Sequence, residues 1–240
     1  MTQMTIYDFD DTLADQNCET GGIITRLPKQ GFDEFCEVLK INPSTSQNCL
    51  QLFKTYSDLQ AFKILFENQS LNQFQKEFRA KMFEYLHSNG VGGNTSFYDF
   101  SSFFCDLRSE ITLKILETHK ENLKLTTLGA EVFSSQSIIY IITNSYQKAV
   151  LRHLELLRIN TENIKILGTE GFLKARLCGK PDPQVLELFF KENKILRPEK
   201  ILYIGDSVVD RKFAQNCGIN FQLFEKSRIL ERREPRLLMR

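Results

Sequence analysis

The chain lacks the residue patterns that identify several common classes of protein. Its 240 residues include no tryptophan and three histidines, and its six cysteines contain no CxxC spacing, so neither a zinc site nor a redox dithiol is expected. The 31 basic and 30 acidic side chains leave a net charge of +1, which argues against broad electrostatic binding of nucleic acid. No apolar run approaches the roughly 20 residues that span a bilayer, and the N-terminus lacks the regions of a secretory signal. These absences favour a cytoplasmic protein with reduced cysteines, and leave export through another kind of signal untested.

The composition that is present indicates a folded protein with a sizeable core. Hydrophobic residues make up 42% of the chain and charged residues 25%, so a disordered chain is not expected. The length fits one domain, or one domain with a large insertion. We expect the 20 phenylalanines to fill the core rather than to form a stacking platform for bases.

The order of strand-like and helix-like segments predicts an α/β fold. The expected strands are residues 4–9, 137–142, 163–167, 201–204 and 220–224. The expected helices are residues 31–40, 46–67, 71–87, 105–120, 147–157, 182–192 and 210–216. Alternation of strands and helices in the second half predicts a doubly wound parallel sheet. We therefore expect a core made of residues 1–14 and 125–240, with residues 15–124 inserted as a helical unit.

Polar residues are concentrated where the predicted strands end. The segments are Asp-Phe-Asp-Asp-Thr-Leu (8–13), Thr-Asn-Ser (143–145), Lys-Pro-Asp-Pro (180–183) and Gly-Asp-Ser-Val-Val-Asp (205–210). In an open parallel sheet, ligands bind beyond the carboxyl ends of the strands. The four segments are thus expected to line one crevice.

Carboxylates that converge on one crevice repel each other unless a cation neutralises them. Oxygen ligands suit Mg²⁺, which Asp8 and Asp206 would hold together with water and phosphate. Asp210 is either a further ligand or a residue that holds Lys180 and the metal's waters. Because Lys180 adds a second positive charge, the crevice suits a phosphoryl group.

The same residues suggest a covalent mechanism. Asp8 would attack phosphorus to form an aspartyl phosphate, and Asp10 would protonate the leaving group and then activate water. Thr143 would donate a hydrogen bond to the phosphate oxygens. Asn144 and Ser145 either contact the phosphate or cap the next helix.

In this order, the four segments resemble the motifs of the haloacid dehalogenase (HAD) superfamily. The resemblance covers residues 4–13 and about 137–224, and implies a Rossmann-like core with Mg²⁺ dependence. It assigns roles to Asp8 (nucleophile), Asp10 (acid and base, with its carbonyl on the metal), Thr143 (second motif), Lys180 (third motif), and Asp206 and Asp210 (fourth motif).

The branch of the superfamily is indicated by the residue at position 10 and by the insertion. An aspartate at position 10 resembles the phosphatases and phosphomutases, whereas the ion-pumping ATPases have threonine there. The insertion between the first and second motifs resembles a helical cap that closes over the site and favours small substrates. Only about 34 residues separate Ser145 from Lys180, too few for a second cap.

The resemblance implies a Mg²⁺-dependent phosphatase that acts on a small phosphorylated metabolite. The alternatives are a phosphatase of phosphotyrosine in proteins or phosphopeptides, a phosphomutase, and a non-catalytic scaffold that binds a membrane or a partner. Residues 225–240 contain six basic and three acidic residues, interleaved with apolar ones. This segment is either a helix that packs against the sheet, which we favour, or an amphipathic contact for an anionic membrane or a protein.

Overall fold

The computed structural model of the chain describes residues 3–20 and 23–225. Apart from Glu225, the basic segment expected at 225–240 lies outside these residues. Within the described part of the chain, no helix combines the length and the apolar character needed to cross a membrane.

The strands form one parallel sheet and two small antiparallel pairs. The strands are β1 (Met4–Tyr7), β2 (Ala14–Asp15), β3 (Asn17–Thr20), β4 (Ile23–Arg26), β5 (Lys124–Leu125), β6 (Ile139–Ile142), β7 (Ile164–Leu167), β8 (Ile201–Gly205) and β9 (Asn220–Leu223). The sheet has the order β7-β6-β1-β8-β9, and β2 pairs with β5 and β3 with β4. The neighbours of β1 are both parallel to it, with Ile6 opposite Tyr140 on one side and Tyr203 on the other. The carboxyl ends of β1, β6 and β8 therefore meet at one edge, as the sequence predicted.

Helices cover the sheet and form a second layer beside that edge. The helices are α1 (Leu27–Val38), α2 (Pro43–Thr55), α3 (Asp58–Glu67), α4 (Gln73–Ser88), α5 (Phe97–Thr118), α6 (Thr127–Ser134), α7 (Gln147–Leu156), α8 (Thr169–Lys174), α9 (Gln184–Asn193) and α10 (Val208–Cys217), with a short 3-10 helix at Lys120–Asn122. We call α1 to α5 the helical block. The doubly wound α/β core with additional helices confirms the predicted fold class.

The helical block is packed around a group of aromatic rings that is continuous with the core of the sheet. The rings of Phe35, Phe62, Phe78, Phe100 and Phe104 are fully buried. Neighbouring rings lie 4.8 to 6.4 Å apart between centroids, mostly tilted or edge-to-face, which is the favoured geometry for aromatic pairs. Burial of these phenylalanines confirms the prediction that they belong to the core.

One predicted helix is wrong. The helix expected over residues 46–67 is divided into α2 and α3, with Tyr56 and Ser57 between them in extended conformations. Ser57 and Gln60 form a reciprocal capping box, because the Ser57 hydroxyl accepts from the Gln60 amide while the Gln60 side chain accepts from the Ser57 amide. This local capping starts a new helix in spite of the continuous apolar spacing.

The two predicted ends of the inserted unit lie side by side. Ala14 pairs with Leu125, and Asp15 with Lys124, in the short ladder between β2 and β5. This ladder brings the chain back to the core after the helical block. The domain bounds at 14–15 and 124–125 stay a prediction. The ladder between β2 and β5 would form the hinge between the core and the helical block.

Candidate active site

A tight turn follows β1 and carries the first acidic residues. The carbonyl of Phe9 accepts from the amides of Leu13 and Ala14, both at 2.9 Å, and the Asp11 amide donates to the Ala14 carbonyl at 2.8 Å. Asp11 has a φ of 57°, which Asp tolerates better than most residues. Asp11 thus lies in the turn, while Asp8 and Asp10 are held on either side of the buried Phe9.

Lys180 is buried at the centre of the site. Its Nζ atom donates to Asp8 Oδ1 at 2.7 Å, to Asp210 Oδ1 at 2.5 Å and to Tyr203 Oη at 2.8 Å. The residue is 2% exposed. Burial alone would lower the pKa of the ammonium, but the charges of Asp210 and Asp8 outweigh it and raise that pKa above its usual value. Lys180 therefore stays positively charged.

The backbone of Lys180 is fixed by the side chain of Asn144. The Asn144 Oδ1 atom accepts from the Lys180 amide at 2.8 Å, and its Nδ2 atom donates to the Lys180 carbonyl at 3.2 Å. Gly179 precedes with a φ of 81°, and a Cβ there would lie 2.5 Å from Asn144 Oδ1. The structure thus uses Asn144 to position Lys180, and the expected phosphate contact of Asn144 stays a prediction.

Asp210 is held by the first turn of α10. Its Oδ2 atom accepts from the Ser207 amide at 3.1 Å and from the Ser207 hydroxyl at 2.5 Å. Burial raises the pKa of Asp210, but the Lys180 charge and the hydrogen bonds from Lys180 and Ser207 outweigh it, so the pKa lies below its usual value. A Cβ at Gly205 would lie 2.5 Å from the carboxyl carbon of Asp210, so only glycine permits this approach.

Three carboxylates are close enough to share a cation. One carboxylate oxygen from each of Asp8, Asp206 and Asp210 lies within 4.8 Å of the others. Burial and the charge of Asp210 raise the pKa of Asp8 well above its usual value, against the effect of Lys180, and burial also raises the pKa of Asp206. Three carboxylates share the single charge of Lys180, and such a set of hard oxygen donors fits a divalent cation such as Mg²⁺.

Asp10 is oriented by two donors. The Ser145 hydroxyl donates to Asp10 Oδ2, and Gln16 Nε2 donates to Asp10 Oδ1. Burial raises the pKa of Asp10 to about 6, against the lowering effect of the Ser145 hydrogen bond. Asp10 can therefore carry or release a proton near neutral pH, as a general acid and base must. Ser145 contacts Asp10 with its hydroxyl instead of capping α7, whose N-cap residue is Tyr146.

A cavity of about 580 Å³ opens between the strand ends and the helical block. Asp8, Asp10, Thr143 and Lys180 line it from the core side. The Thr143 hydroxyl accepts from the Ser145 amide at 3.1 Å, so its own hydrogen is left to donate. The volume lies in the range of pockets for small molecules.

Comparison with known proteins identifies the family to which the chain belongs. A family model described as haloacid dehalogenase-like hydrolase matches residues 5–224. The chain belongs to the haloacid dehalogenase-like hydrolases. It is a family of enzymes. The match confirms the resemblance that the four sequence motifs indicated. A search of curated proteins finds no match.

Solved structures of other proteins share the fold. CbbY from Rhodobacter sphaeroides, solved in complex with phosphate, is 14% identical with a TM-score of 0.56, and the match covers 96% of this chain and 90% of CbbY. YfnB from Bacillus subtilis, solved with bound magnesium, is 17% identical with a TM-score of 0.50, and the match covers 92% of this chain and 88% of YfnB. A hydrolase from Pseudomonas syringae is 18% identical with a TM-score of 0.52, over 92% of this chain and 83% of that protein.

The helical block of this HAD hydrolase supplies contacts that the sequence did not predict. Gln60 Nε2 donates to the Lys180 carbonyl at 2.9 Å, so α3 touches the residue that holds Asp8. The Tyr146 hydroxyl donates to Asp58, which also accepts from Arg108 Nε at 3.0 Å and Nη2 at 3.3 Å. The Ser57–Gln60 capping pattern was the available signal for the start of α3. The docking of α3 on Lys180 has no local signal.

Proposed function

We propose that this hydrolase is a Mg²⁺-dependent phosphatase that forms an aspartyl phosphate on Asp8. The observation that carries the proposal is the buried contact of Asp8 with the Lys180 ammonium at 2.7 Å, at the end of a cavity that Asp10 also lines. Lys180 orients one oxygen of Asp8, which leaves the other oxygen to act as the nucleophile.

In the first step, a carboxylate oxygen of Asp8 attacks the phosphorus of a phosphate monoester. The bond between phosphorus and the ester oxygen breaks, and Asp10 gives its proton to the departing alcohol. The pKa of about 6 supports Asp10 as the acid, because a fraction of the carboxyl groups is protonated at neutral pH. Lys180 and the Thr143 hydroxyl would stabilise the negative charge on the transferring group.

In the second step, Asp10 is a carboxylate and takes a proton from a water molecule. The water oxygen attacks phosphorus, the bond to Asp8 breaks, and inorganic phosphate leaves. The hydrogen bonds from Ser145 and Gln16 would keep Asp10 in position through both steps. Asp8 is restored as a carboxylate.

Asp8 and Asp206 would hold Mg²⁺, with the Asp10 carbonyl as a further ligand by family resemblance. Bound Mg²⁺ neutralises charge on the phosphoryl oxygens. Both oxygens of Asp210 already accept hydrogen bonds, from Lys180 and Ser207, which favours a role in holding Lys180 over direct coordination. The magnesium of YfnB and the phosphate of CbbY, on the same fold, support this proposal.

The size of the cavity favours a small phosphorylated metabolite over a phosphoprotein. At about 580 Å³, it accommodates a molecule of drug-like size and is covered by the helical block. Gln60 donates to the Lys180 carbonyl and Asp58 accepts from Tyr146, so α3 is held beside the strand ends and the helical block forms one side of the cavity.

The deciding experiment measures phosphate release from a mixed panel with Mg²⁺ present. The panel contains sugar phosphates, nucleotides, alkyl and aryl phosphates, and phosphotyrosine and phosphoserine peptides. We expect Asp8→Asn to reduce kcat by at least about 1000-fold, because an amide is not a nucleophile toward phosphorus. EDTA should abolish turnover and added Mg²⁺ should restore it.

The matched control is Asp106→Asn, which makes the same change at a side chain that is 62% exposed on α5. It should retain the activity of the unaltered protein. Turnover that persists in a folded Asp8→Asn protein would contradict the mechanism. Silence across the panel would support the non-catalytic scaffold instead.

A further inference from the structure

The carbonyl oxygen of Lys180 accepts hydrogen bonds from two different parts of the molecule. Asn144 Nδ2, just after β6 in the core, donates to it at 3.2 Å. Gln60 Nε2, on α3 of the helical block, donates to it at 2.9 Å. The helical block therefore supplies the shorter of the two hydrogen bonds to the backbone of the residue that holds Asp8.

The side-chain amide of Gln60 has two tasks, and each uses one of its two polar atoms. Its Oε1 atom accepts from the Ser57 amide at 3.3 Å, within the capping box that starts α3, and its Nε2 atom donates to Lys180. Gln60 is not among the described residues that line the cavity. It can therefore act on the site through Lys180 but not by contact with a molecule in the cavity.

A second contact attaches the same turn of α3 to the core. Asp58 accepts from the hydroxyl of Tyr146, which lies two residues after Asn144. The first turn of α3 is thus bound both to Lys180 and to the segment that carries the other donor to Lys180. Both contacts exist only while α3 lies against the core, so the Lys180 carbonyl loses one of its two donors when α3 is displaced.

The position of Lys180 has to be exact because its ammonium has several short contacts to maintain. Lys180 Nζ lies 2.7 Å from Asp8 Oδ1 and 2.5 Å from Asp210 Oδ1, and the residue is buried. A displacement of about 1 Å in a catalytic group can cost about 100-fold in rate. Restraint of the Lys180 backbone at its carbonyl limits such a displacement.

We propose that Gln60 is a positioning residue for Lys180, which makes the anchoring of this lysine depend on the docking of α3. The inference rests on the proposed phosphatase function. Docking of the helical block and placement of the ammonium beside Asp8 are then one event. The protein is fully active only with α3 against the core.

The test variant is Gln60→Glu, which separates the two tasks of this side chain. A glutamate keeps the acceptor for the Ser57 amide and is a usual residue at this place in a capping box, so α3 should still start at the same point. A carboxylate has no hydrogen to donate and faces the Lys180 carbonyl with negative charge. We expect kcat to fall by about tenfold with little change in KM, measured with p-nitrophenyl phosphate and Mg²⁺ or with a better substrate from the panel.

The matched control is Gln75→Glu, at the same place in the capping box that starts α4. There the Asn72 amide donates to Gln75 Oε1 at 3.1 Å, and the Gln75 amide donates to Asn72 Oδ1 at 2.9 Å. Within the described part of the chain, Gln75 has no hydrogen bond to the core. Gln75→Glu should therefore keep the kcat of the unaltered protein, and both variants should keep its urea midpoint.

Hydrogen exchange of the Lys180 amide gives a readout that does not depend on turnover. This amide donates to Asn144 Oδ1 at 2.8 Å, which protects it from exchange while Lys180 is anchored. It should exchange faster in Gln60→Glu, by a factor similar to the loss in kcat, and at the unaltered rate in Gln75→Glu.

Three results would overturn the inference. They are an unchanged kcat and unchanged exchange in Gln60→Glu, equal losses in Gln60→Glu and Gln75→Glu, and a raised KM at constant kcat. If the unaltered protein shows no Asp8-dependent phosphate release with any substrate, the phosphatase function fails, and the exchange rates alone decide whether Gln60 positions Lys180. If Gln60→Glu does not fold, Gln60→Met and Gln75→Met replace the pair, since methionine removes the capping acceptor equally from both helices.

Discussion

Lys180 is the residue on which the balance of charge in the site depends. Its ammonium contacts two buried carboxylates, Asp8 and Asp210. Removal of one partner from a buried ion pair costs about 3 to 5 kcal/mol, because the remaining charge is left uncompensated. We predict a loss of this size in the free energy of unfolding for Lys180→Met, measured by urea denaturation in EDTA.

The double variant Lys180→Met/Asp210→Asn provides the internal control. It also removes the charge of Asp210, one of the two carboxylates that Lys180→Met leaves without a counter-charge. The double variant should therefore recover part of the lost stability, as expected for a coupled pair. Strictly additive losses in the double variant would show that the two side chains do not interact in the folded protein.

Tyr203 is a positioning residue that sequence motifs do not reveal. Its hydroxyl accepts from Lys180 and donates to the Ile142 carbonyl at 2.7 Å, which ties the two strands on either side of β1 through the base of the site. Tyr203→Phe leaves the Ile142 carbonyl buried without this donor, at a cost of about 1 to 3 kcal/mol. We predict a lower kcat with little change in KM, measured by steady-state kinetics on the best substrate of the panel.

Tyr140→Phe is the matched change on β6, where the half-buried ring packs edge-on against Phe189. We expect this variant to keep the kcat of the unaltered protein. An equal fall in kcat in both variants would assign the effect to general loss of packing and not to the contact with Lys180.

At the scale of secondary-structure elements, Asp58 joins three of them. It lies at the start of α3, accepts from Arg108 on α5, and accepts from Tyr146 just before α7. The Arg108 and Asp58 side chains are 7% and 16% exposed, so Asp58→Asn leaves a buried guanidinium without its counter-charge. We predict a loss of about 3 to 5 kcal/mol in the free energy of unfolding, measured by chemical denaturation.

The exposed pair between Lys148 and Asp106 serves for comparison. These side chains are each 62% exposed and lie 3.9 Å apart, so Asp106→Asn should cost less than about 1 kcal/mol. Similar losses for the two variants would mean that Asp58 contributes no more than a surface charge.

The elements that carry the site were predictable because each motif is local. A strand followed by polar residues is visible in the sequence at Asp8, Thr143 and Asp206, and parallel strands align such ends without further information. The contacts of Gln60 with Lys180 and of Tyr146 with Asp58 depend on how the helical block docks, 120 and 88 residues apart in sequence. No periodicity or spacing encodes that docking, although the capping pattern at Ser57 did mark where α3 begins.

For the whole molecule, His153 makes stability depend on pH. Burial lowers its pKa to about 4. Below its ordinary pKa of about 6.5, the unfolded chain takes up a proton that the folded protein does not, so this histidine costs stability as the pH falls from about 6.5 to 4. We predict that about 3 kcal/mol of the free energy of unfolding is lost over this interval through His153.

The difference between the unaltered protein and His153→Leu isolates the effect. The raised pKa values of Asp8 and Asp10 act in the opposite sense, because the folded protein takes up protons there first, and they are common to both proteins. Between pH 7 and 4.5, the free energy of unfolding of the unaltered protein should therefore fall relative to that of His153→Leu, as denaturation curves at the two pH values would show. Parallel pH profiles would contradict the prediction.

The central place of β1 in the sheet also determines the order in which the protein can assemble on a ribosome. β1 is made before both strands that flank it, and Met4 lies opposite Ile201, so one of its partners is made about 200 residues later. At about 5 to 20 residues per second, the strand waits roughly 10 to 40 s with an open edge. In that interval the helical block can fold and bury its aromatic side chains. Nascent chains stalled before residue 201 should therefore hold a folded helical block and a β1 strand whose edge toward β8 is unpaired, the species most in need of a chaperone.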